Sequence, residues 1–497
     1  MTKKQVYNPY LPLDVYIPDG EPHVFNDRLY VFGSHDREGG KRYCEENYTF
    51  YSAPVDDLSD WTYHGISYDK SLDPDYDPNG KYKDLYAPDV VEGNDGRYYL
   101  YYALAGGAFT GPIHVAVADK PEGPYAYHGC VRNEDGSDYQ RHITFDPAVI
   151  NDDGVIRLYY GWAIGAPQMA NMGKIKKALI KPTLKIVERK LFDKTKEEIK
   201  AEPLGIQGAF TVELADDMLT VKSEPMKIMP GQFDAYGTQF QGHAFFEASS
   251  IRKIGDKYYF IYSSEVNHEL CYATSDYPDH DFHYGGVIIS NGDVGYKGRE
   301  TKDRLAMTGN NHGSIVKVKD QWYIFYHRHT HGTPYSRQAC AEKIEIKEDG
   351  SIPQVEMTSC GLNDGPLKAQ GEYPAIIACN LTNGKMPHVG LSIQRISCPF
   401  ITDDGKNRYI TQIGEGTLIA YKYFDFEGTC DLIIDYKADE EGYFDVCLDD
   451  EQAGKITCEK CDHWSKASIS LSHTGTAALK LVYHSKGKAD LLKLNFR

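Results

Sequence analysis

Five polar residues recur at one point of a repeated unit. Asp19 stands 11 residues before Tyr30, Asp89 10 before Tyr99, Asp146 13 before Tyr159, Glu247 12 before Tyr259, and His312 11 before Tyr323. Taken singly, each has a plain reading. Asp19-Gly20 and Asp146-Pro147 are turn dipeptides, Glu247 is a surface acid, and His312 is a hydrogen-bonder in a tight turn. Brought to one point, they could do chemistry. Two carboxylates on either side of a bound molecule can serve as general acid and general base, and a third can tune the acid by like-charge repulsion. What matters is whether the fold makes them converge.

The elements around them say that it does. Arg28–Ser34 (RLYVFGS), Arg97–Ala103 (RYYLYYA), Ile156–Gly161 (IRLYYG), Lys257–Ser264 (KYYFIYSS) and Gln321–Arg328 (QWYIFYHR) are short runs of strand-favouring residues. Each follows a hairpin signal: Asn26-Asp27, Asn94-Asp95-Gly96, Asp152-Asp153-Gly154, Gly255-Asp256 or Lys319-Asp320. A second apolar strand precedes each turn, and the polar residue opens it. Radial repetition of such sheets is a β-propeller, whose innermost strands line a central channel. The expected fold is all-β: a five-bladed propeller over residues 1–360, a linker at 361–375, and a smaller jelly-roll-like β-sandwich over 376–497. The sandwich reading rests on alternating stretches such as Thr417–Phe426, Asp431–Tyr436 and Tyr443–Leu448. Between the third and fourth repeats lies a basic, helix-leaning insertion, Met172–Lys200, read as a solvated hairpin or helix with a substrate lid as the sharper alternative.

Composition narrows the function classes. The net charge of −18 argues against nucleic acid, since phosphate binding needs clustered Lys and Arg. No run of about 18 apolar residues offers a membrane span. No apolar leader is visible after Met1, so the expected location is the cytoplasm. The 11 cysteines are scattered, and Cys458-x-x-Cys461 lacks the second pair that a zinc site wants, so they read as free thiols. Tyr is abundant, 39 against 19 Phe, which suits half-buried strands and sugar-facing surfaces alike. Oligomeric state has no signature here.

In order along the chain, the motifs resemble glycoside hydrolase family 43. Ile17–Phe25 (IPDGEPHVF) is similar to its first-blade motif, Tyr86–Val90 (YAPDV) to its second, Phe145–Val149 (FDPAV) to its third, Phe246–Ser249 (FEAS) to its acid motif, Asn311–Gly313 (NHG) to its axial histidine motif, and Ser336–Gln338 (SRQ) to a substrate-contacting arginine. The resemblance covers about residues 7–360. It implies Asp19 as general base, Glu247 as general acid and Asp146 as the residue that orients the acid and raises its pKa. It further implies Tyr86 and Phe145 at the sugar, and Arg337 on the sugar ring or keeping a carboxylate ionised. The matching histidine, His312, helps hold a metal ion or ordered water on the axis, so Ca2+ is the candidate ion, with no cofactor required. The plain reading of Arg337 is an ion pair with Glu342. The tail looks like a family 6 carbohydrate-binding module.

Asp89 shares the register of the acids and is assigned to sugar hydroxyls. His327, His329 and His331 alternate on one strand face, which suits either a transition-metal site or decoration of the pocket rim. The resulting expectation is an inverting hydrolase that releases terminal α-L-arabinofuranose or β-D-xylose from plant-type glycans. Its rivals are a sugar-binding propeller without catalysis, an endo-acting arabinanase and, more weakly, a transferase or phosphorylase, which would need a phosphate loop that the sequence lacks. The tail is expected to be removable without touching the pocket.

Overall fold

A computed structural model of the chain describes residues 4–106, 111–165, 184–192, 194–389 and 397–497. Five antiparallel sheets follow one another in sequence order. Blade 1 comprises β1 (Glu21–Phe25), β2 (Arg28–Phe32), β3 (Tyr51–Pro54) and β4 (Thr62–Tyr63). Blade 2 comprises β5 (Asp84–Glu92), β6 (Tyr98–Ala105), β7 (His114–Ala118) and β8 (Ala126–Cys130). Blade 3 runs β9 (Ala148–Asp152), β10 (Val155–Trp162), β11 (Gly208–Leu214) and β12 (Met226–Pro230). Blade 4 runs β13 (Phe245–Ile254), β14 (Lys257–Ser264), β15 (Glu269–Ser275) and β16 (His283–Ser290). Blade 5 has β17 (Ile315–Val318), β18 (Gln321–His329) and β19 (Arg337–Ile344).

The inner hairpins form where the turn signals stand. Asn26 and Asp27 both adopt positive φ between β1 and β2, as do Asp153 and Gly154 between β9 and β10. That is the geometry of a two-residue turn whose twist matches its strands. The second strands are apolar at nearly every position because neighbouring blades cover both of their faces; β6 is buried throughout. Tyrosine does most of this packing. Among the described residues, eleven of the twelve largest fully buried side chains are tyrosines and the twelfth is Arg337. Their hydroxyls reach partners across the structure, as Tyr101 does on the Met218 carbonyl and Tyr159 on that of Pro278 (both 2.7 Å). A ring that fills the blade interface while its hydroxyl stays paired accounts for the composition.

The ring closes through the N-terminal segment. Asn8 exchanges two hydrogen bonds with the Ala341 backbone, and the Tyr10 amide donates to Ala339, so residues 8–10 cover the outer edge of β19. At the axis Gly20 bridges Gly313, joining blade 1 to blade 5.

The C-terminal β-strands, from Leu367–Lys368 to Ala489–Phe496, form one ten-stranded hydrogen-bonded network. Thr417–Phe426 and Asp431–Tyr436, read as separate strands, belong to a single one, Leu418–Ala438, paired along its length with Cys461–Ser485. The C-terminal domain, expected to be removable without touching the pocket, is rooted in the propeller. Buried Lys422 pairs with Asp293 (2.9 Å) and Glu356 (2.8 Å), and Asn380 donates to the same Asp293. Removing 376–497 would strand Asp293 without its cation, a costly arrangement in a buried site.

Of the insertion, residues 184–192 and 194–200 fall within the described residues. Helix Lys196–Ala201 begins with a capping box between Thr195 and Glu198. Phe192 and Ile199 are buried in one cluster with Phe145, Trp162 and Phe246, so this part of the insertion backs the wall around Glu247.

Candidate active site

Asp19 precedes β1, Asp146 precedes β9, Glu247 lies in β13 and His312 precedes β17, all at the same end of the inner strands. The backbone is irregular there. Asp19, Asp146 and Ala248 have φ of 58°, 45° and 69°, and β13 shifts register between Glu247 and Ser250. Left-handed backbone at Ala is uncommon and is retained where the surroundings impose it, as at functional sites.

Asp19 sits among cations and donors. Arg337 Nη1 binds its Oδ1 at 2.8 Å. His327 lies on its other side: Nε2 donates to the Asn310 carbonyl at 3.0 Å, leaving Nδ1 to accept the Asp19 amide at 3.3 Å. Burial alone would raise the Asp19 pKa, but the Arg337 guanidinium overrides it and holds the carboxyl well below its ordinary range. Arg337 is itself clamped by Asp36, which takes Nε at 2.9 Å and Nη2 at 3.0 Å in a bidentate pair, and its guanidinium lies 4.6 Å from the Tyr43 ring centroid.

Glu247 sits in the opposite environment. Its Oε2 accepts from Trp162 Nε1 at 3.0 Å, and the nearby Asn310 side chain also favours its ionised form. Burial, reinforced by Asp19, outweighs these donors and pushes its pKa up to about 7. Asp146 accepts from the Ala248 amide at 2.9 Å, next to the acid. Burial first, then Glu247 and Asp19, raise its pKa well above the ordinary value. Asp146 and Glu247 therefore titrate as a coupled pair, in which the charge of whichever ionises first raises the other.

Several assignments change. Asp89, expected on sugar hydroxyls, is 1% exposed and fully engaged. Its Oδ1 meets His23 Nε2 and the Val90 amide, and its Oδ2 takes the Val149 amide, all at 2.7 Å, tying blade 2 to blades 1 and 3. Arg337, offered as a sugar contact or an ioniser of a carboxylate, does the second: both ends of its fork are spent on Asp36 and Asp19. Glu342 is not its partner; it binds Asn8, Tyr326 and Thr358 instead. Tyr86 is half-buried with its ring 5.4 Å from Phe145, which lies buried behind it.

The three alternating histidines separate by task. His327 and His329 both direct Nε2 at the Asn310 carbonyl (3.0 Å each), while His331 contacts Tyr16 and Glu38. They make no metal cluster among the described residues. His312 is buried, and burial lowers its pKa to about 4, so its imidazole is neutral, with Nδ1 3.7 Å from Asp146. It offers one nitrogen, while Asp19 and Asp89 are already engaged. A calcium ion prefers oxygen ligands, so these residues do not fit a calcium ion held by protein groups; an ion on the axis would carry mostly water.

Sequence reasoning missed Trp162, Asn310 and Asp36. Trp162 had a legible signal, an aromatic closing the second strand of blade 3. Asn310, two residues before His312, and Asp36, beyond β2, had none. Asn310 Oδ1 is buried with no hydrogen-bond partner, which makes it a ready acceptor at the site.

The comparisons with known proteins agree with this geometry. The sequence profile of glycosyl hydrolases family 43 matches residues 22–207 and 204–352. A xylosidase/arabinosidase of Thermoclostridium stercorarium is 44% identical over 98% of both chains. A beta-xylosidase of Xylanibacter ruminicola is 30% identical over 69% of this chain and 97% of its own. Among solved structures, a family 43 β-xylosidase/α-arabinofuranosidase from a compost microbial metagenome superposes with a TM-score of 0.50 at 26% identity, covering 69% of this chain and 95% of that one. With two buried carboxylates of opposed electrostatics at the head of a five-bladed propeller, and with these matches, the chain belongs to the glycosyl hydrolases of family 43.

Proposed function

We propose that this enzyme releases terminal pentose, α-L-arabinofuranose or β-D-xylose, from plant-type oligosaccharides or polysaccharides with inversion at the anomeric carbon. The carrying observation is the opposed environment of two carboxylates: Asp19 ionised against Arg337, Glu247 buried with its pKa near 7. Glu247 gives its proton to the leaving oxygen as the glycosidic bond breaks. Asp19 takes a proton from the water that attacks the opposite face, so the hydroxyl joins the anomeric carbon and both carboxyl groups have exchanged protonation states. Asp146, buried and coupled to Glu247, holds the Ala248 amide beside the acid and so keeps it in place. The half-buried Tyr86 ring, backed by Phe145, supplies an aromatic face for the sugar.

The names of the relatives, xylosidase/arabinosidase and beta-xylosidase, support the pentose. A sugar-binding propeller without catalysis has no use for a carboxylate held ionised beside one held protonated. A Ca2+ ion on the axis would be held mostly by water, with His312 the one axial residue near it, and no step passes through it.

The test is proton NMR of the first product anomer from aryl α-L-arabinofuranoside and aryl β-D-xyloside. Inverted pentose from either one is the expected result. Retained configuration overturns the mechanism, and internal oligomers from debranched arabinan without early monosaccharide overturn exo action.

A further inference from the structure

Besides its Lys422 and Asn380 contacts, the C-terminal domain touches the propeller on loops that carry the partners of the acids. Arg408, in strand Arg408–Ile413, binds Glu38 through Nη2 at 2.6 Å and Nε at 3.3 Å. Glu38 also accepts from Tyr16 OH at 2.6 Å and faces His331 at 3.4 Å. It is two residues from Asp36, the clamp on Arg337, and its loop is closed by the Cys44 amide on Asp36 Oδ1 (2.9 Å) and the Gly39 amide on Ser336 Oγ (3.0 Å). Nearby, Ile401 donates to the Thr330 carbonyl at 2.9 Å, just after the strand that presents His327 and His329.

A second arm reaches the acid's neighbour. Thr308 pairs with the segment Pro387–Val389: its amide donates to the Pro387 carbonyl (3.1 Å) and its carbonyl accepts from the Val389 amide (2.6 Å). Gly309 lies between His329 and Val389 so closely that a Cβ there would stand 2.4 Å from His329 Nε2 and 2.8 Å from Val389. The next residue is Asn310, whose side chain lies near Glu247 and whose carbonyl receives both histidines.

Resting on the two-carboxylate reading above, we propose that the C-terminal domain sets the placement of the catalytic pair. Arg408 is a positioning residue for the chain Glu38-loop, Asp36, Arg337, Asp19, and Pro387–Val389 positions the loop that carries Asn310. The domain is thereby a working part of the hydrolytic site. A misplacement of the base by about 1 Å is enough to cost on the order of a hundredfold in rate, so a contact two residues from the clamp has leverage without touching substrate.

The experiment uses the full chain and compares Arg408→Met, Arg408→Lys and Glu38→Gln with the wild type. Three quantities are read: kcat and KM on the aryl pentoside that the wild type cleaves, the unfolding midpoint, and amide hydrogen exchange at Gly39 and Cys44. The expected result for Arg408→Met is a kcat lower by about tenfold, KM within about twofold, a nearly unchanged midpoint and faster exchange at both amides, with most of the kcat restored in Arg408→Lys. Glu38→Gln, which keeps the shape of the contact, should behave like Arg408→Met and serves in its place if that variant does not fold. Wild-type kcat and exchange in either folded variant would overturn the proposal, as would a lowered midpoint with unaltered kcat. An inactive wild type would count against the pentosidase reading instead, and the exchange data would still decide this one.

Discussion

The two sides of the active site are built from the same kind of element yet produce opposite acids. On the side of blades 1 and 5, Asp19 meets a buried arginine that is itself fixed by Asp36, and its carboxyl stays ionised. On the side of blades 3 and 4, Glu247 meets a tryptophan N–H, an aromatic cluster and a second carboxyl, and it keeps its proton to about pH 7. Both groups are buried, so burial alone cannot assign the roles. The deciding difference is a full positive charge on one side against neutral donors and a like charge on the other.

The strongest way to break the comparison is to remove each carboxylate in turn. Asp19→Ala should lower kcat/KM by roughly 10²–10⁴-fold on every substrate, because the attacking water loses its base. Glu247→Ala should cause a loss of that size only with poor leaving groups, since a phenol of low pKa departs without a proton. Rates across a series of aryl pentosides measure this, and equal losses across the series in both variants would erase the distinction between the sides.

Removing the charge that defines the base side comes next. Arg337→Met leaves Asp19 and Asp36 buried without their cation and should cost about 3–5 kcal/mol of stability, read by denaturant unfolding. In the folded fraction, the acid limb of the kcat/KM profile should move to higher pH. The sign follows from the folded protein: burial raises the Asp19 pKa, Arg337 is the largest influence lowering it, and that influence is gone in the variant.

Asp146→Asn sharpens the acid side. The coupled partner of Glu247 can then no longer ionise while the Ala248 amide keeps an acceptor, so the alkaline limb, set near pH 7 by loss of the acid's proton, should reduce from a coupled titration to a single ionisation. The smallest change is Trp162→Phe, which keeps the ring and deletes one N–H that favours the carboxylate. The alkaline limb should then rise by about one pH unit, with little change in the acid limb.

Much of the site was legible because a propeller converts sequence register into position. Asp19, Asp146, Glu247 and His312 share an offset from the tyrosine strands, and the structure gathers all four at one end of the inner strands. The same register misled at Asp89, where a bulge between Tyr86 and Asp89 turns the carboxylate onto its neighbours' backbone. Asp36 and Asn310 were invisible because each lies in a loop outside the repeat, where offset carries no information. Arg337 was found by resemblance, but its use was decided by Asp36, which is 301 residues away in the chain.

By itself, the sequence determined the all-β architecture, the five hairpins and the convergence of four polar residues. Alternation, turn chemistry and repeat spacing are local properties of a chain, and they act within about ten residues. Only the tertiary structure decided which carboxylate is ionised, which histidine nitrogen carries a proton, and that the C-terminal domain grips the loops of the site. Those outcomes depend on charges and donors brought within about 3 Å from blades far apart in sequence, where burial removes the water that would otherwise screen them.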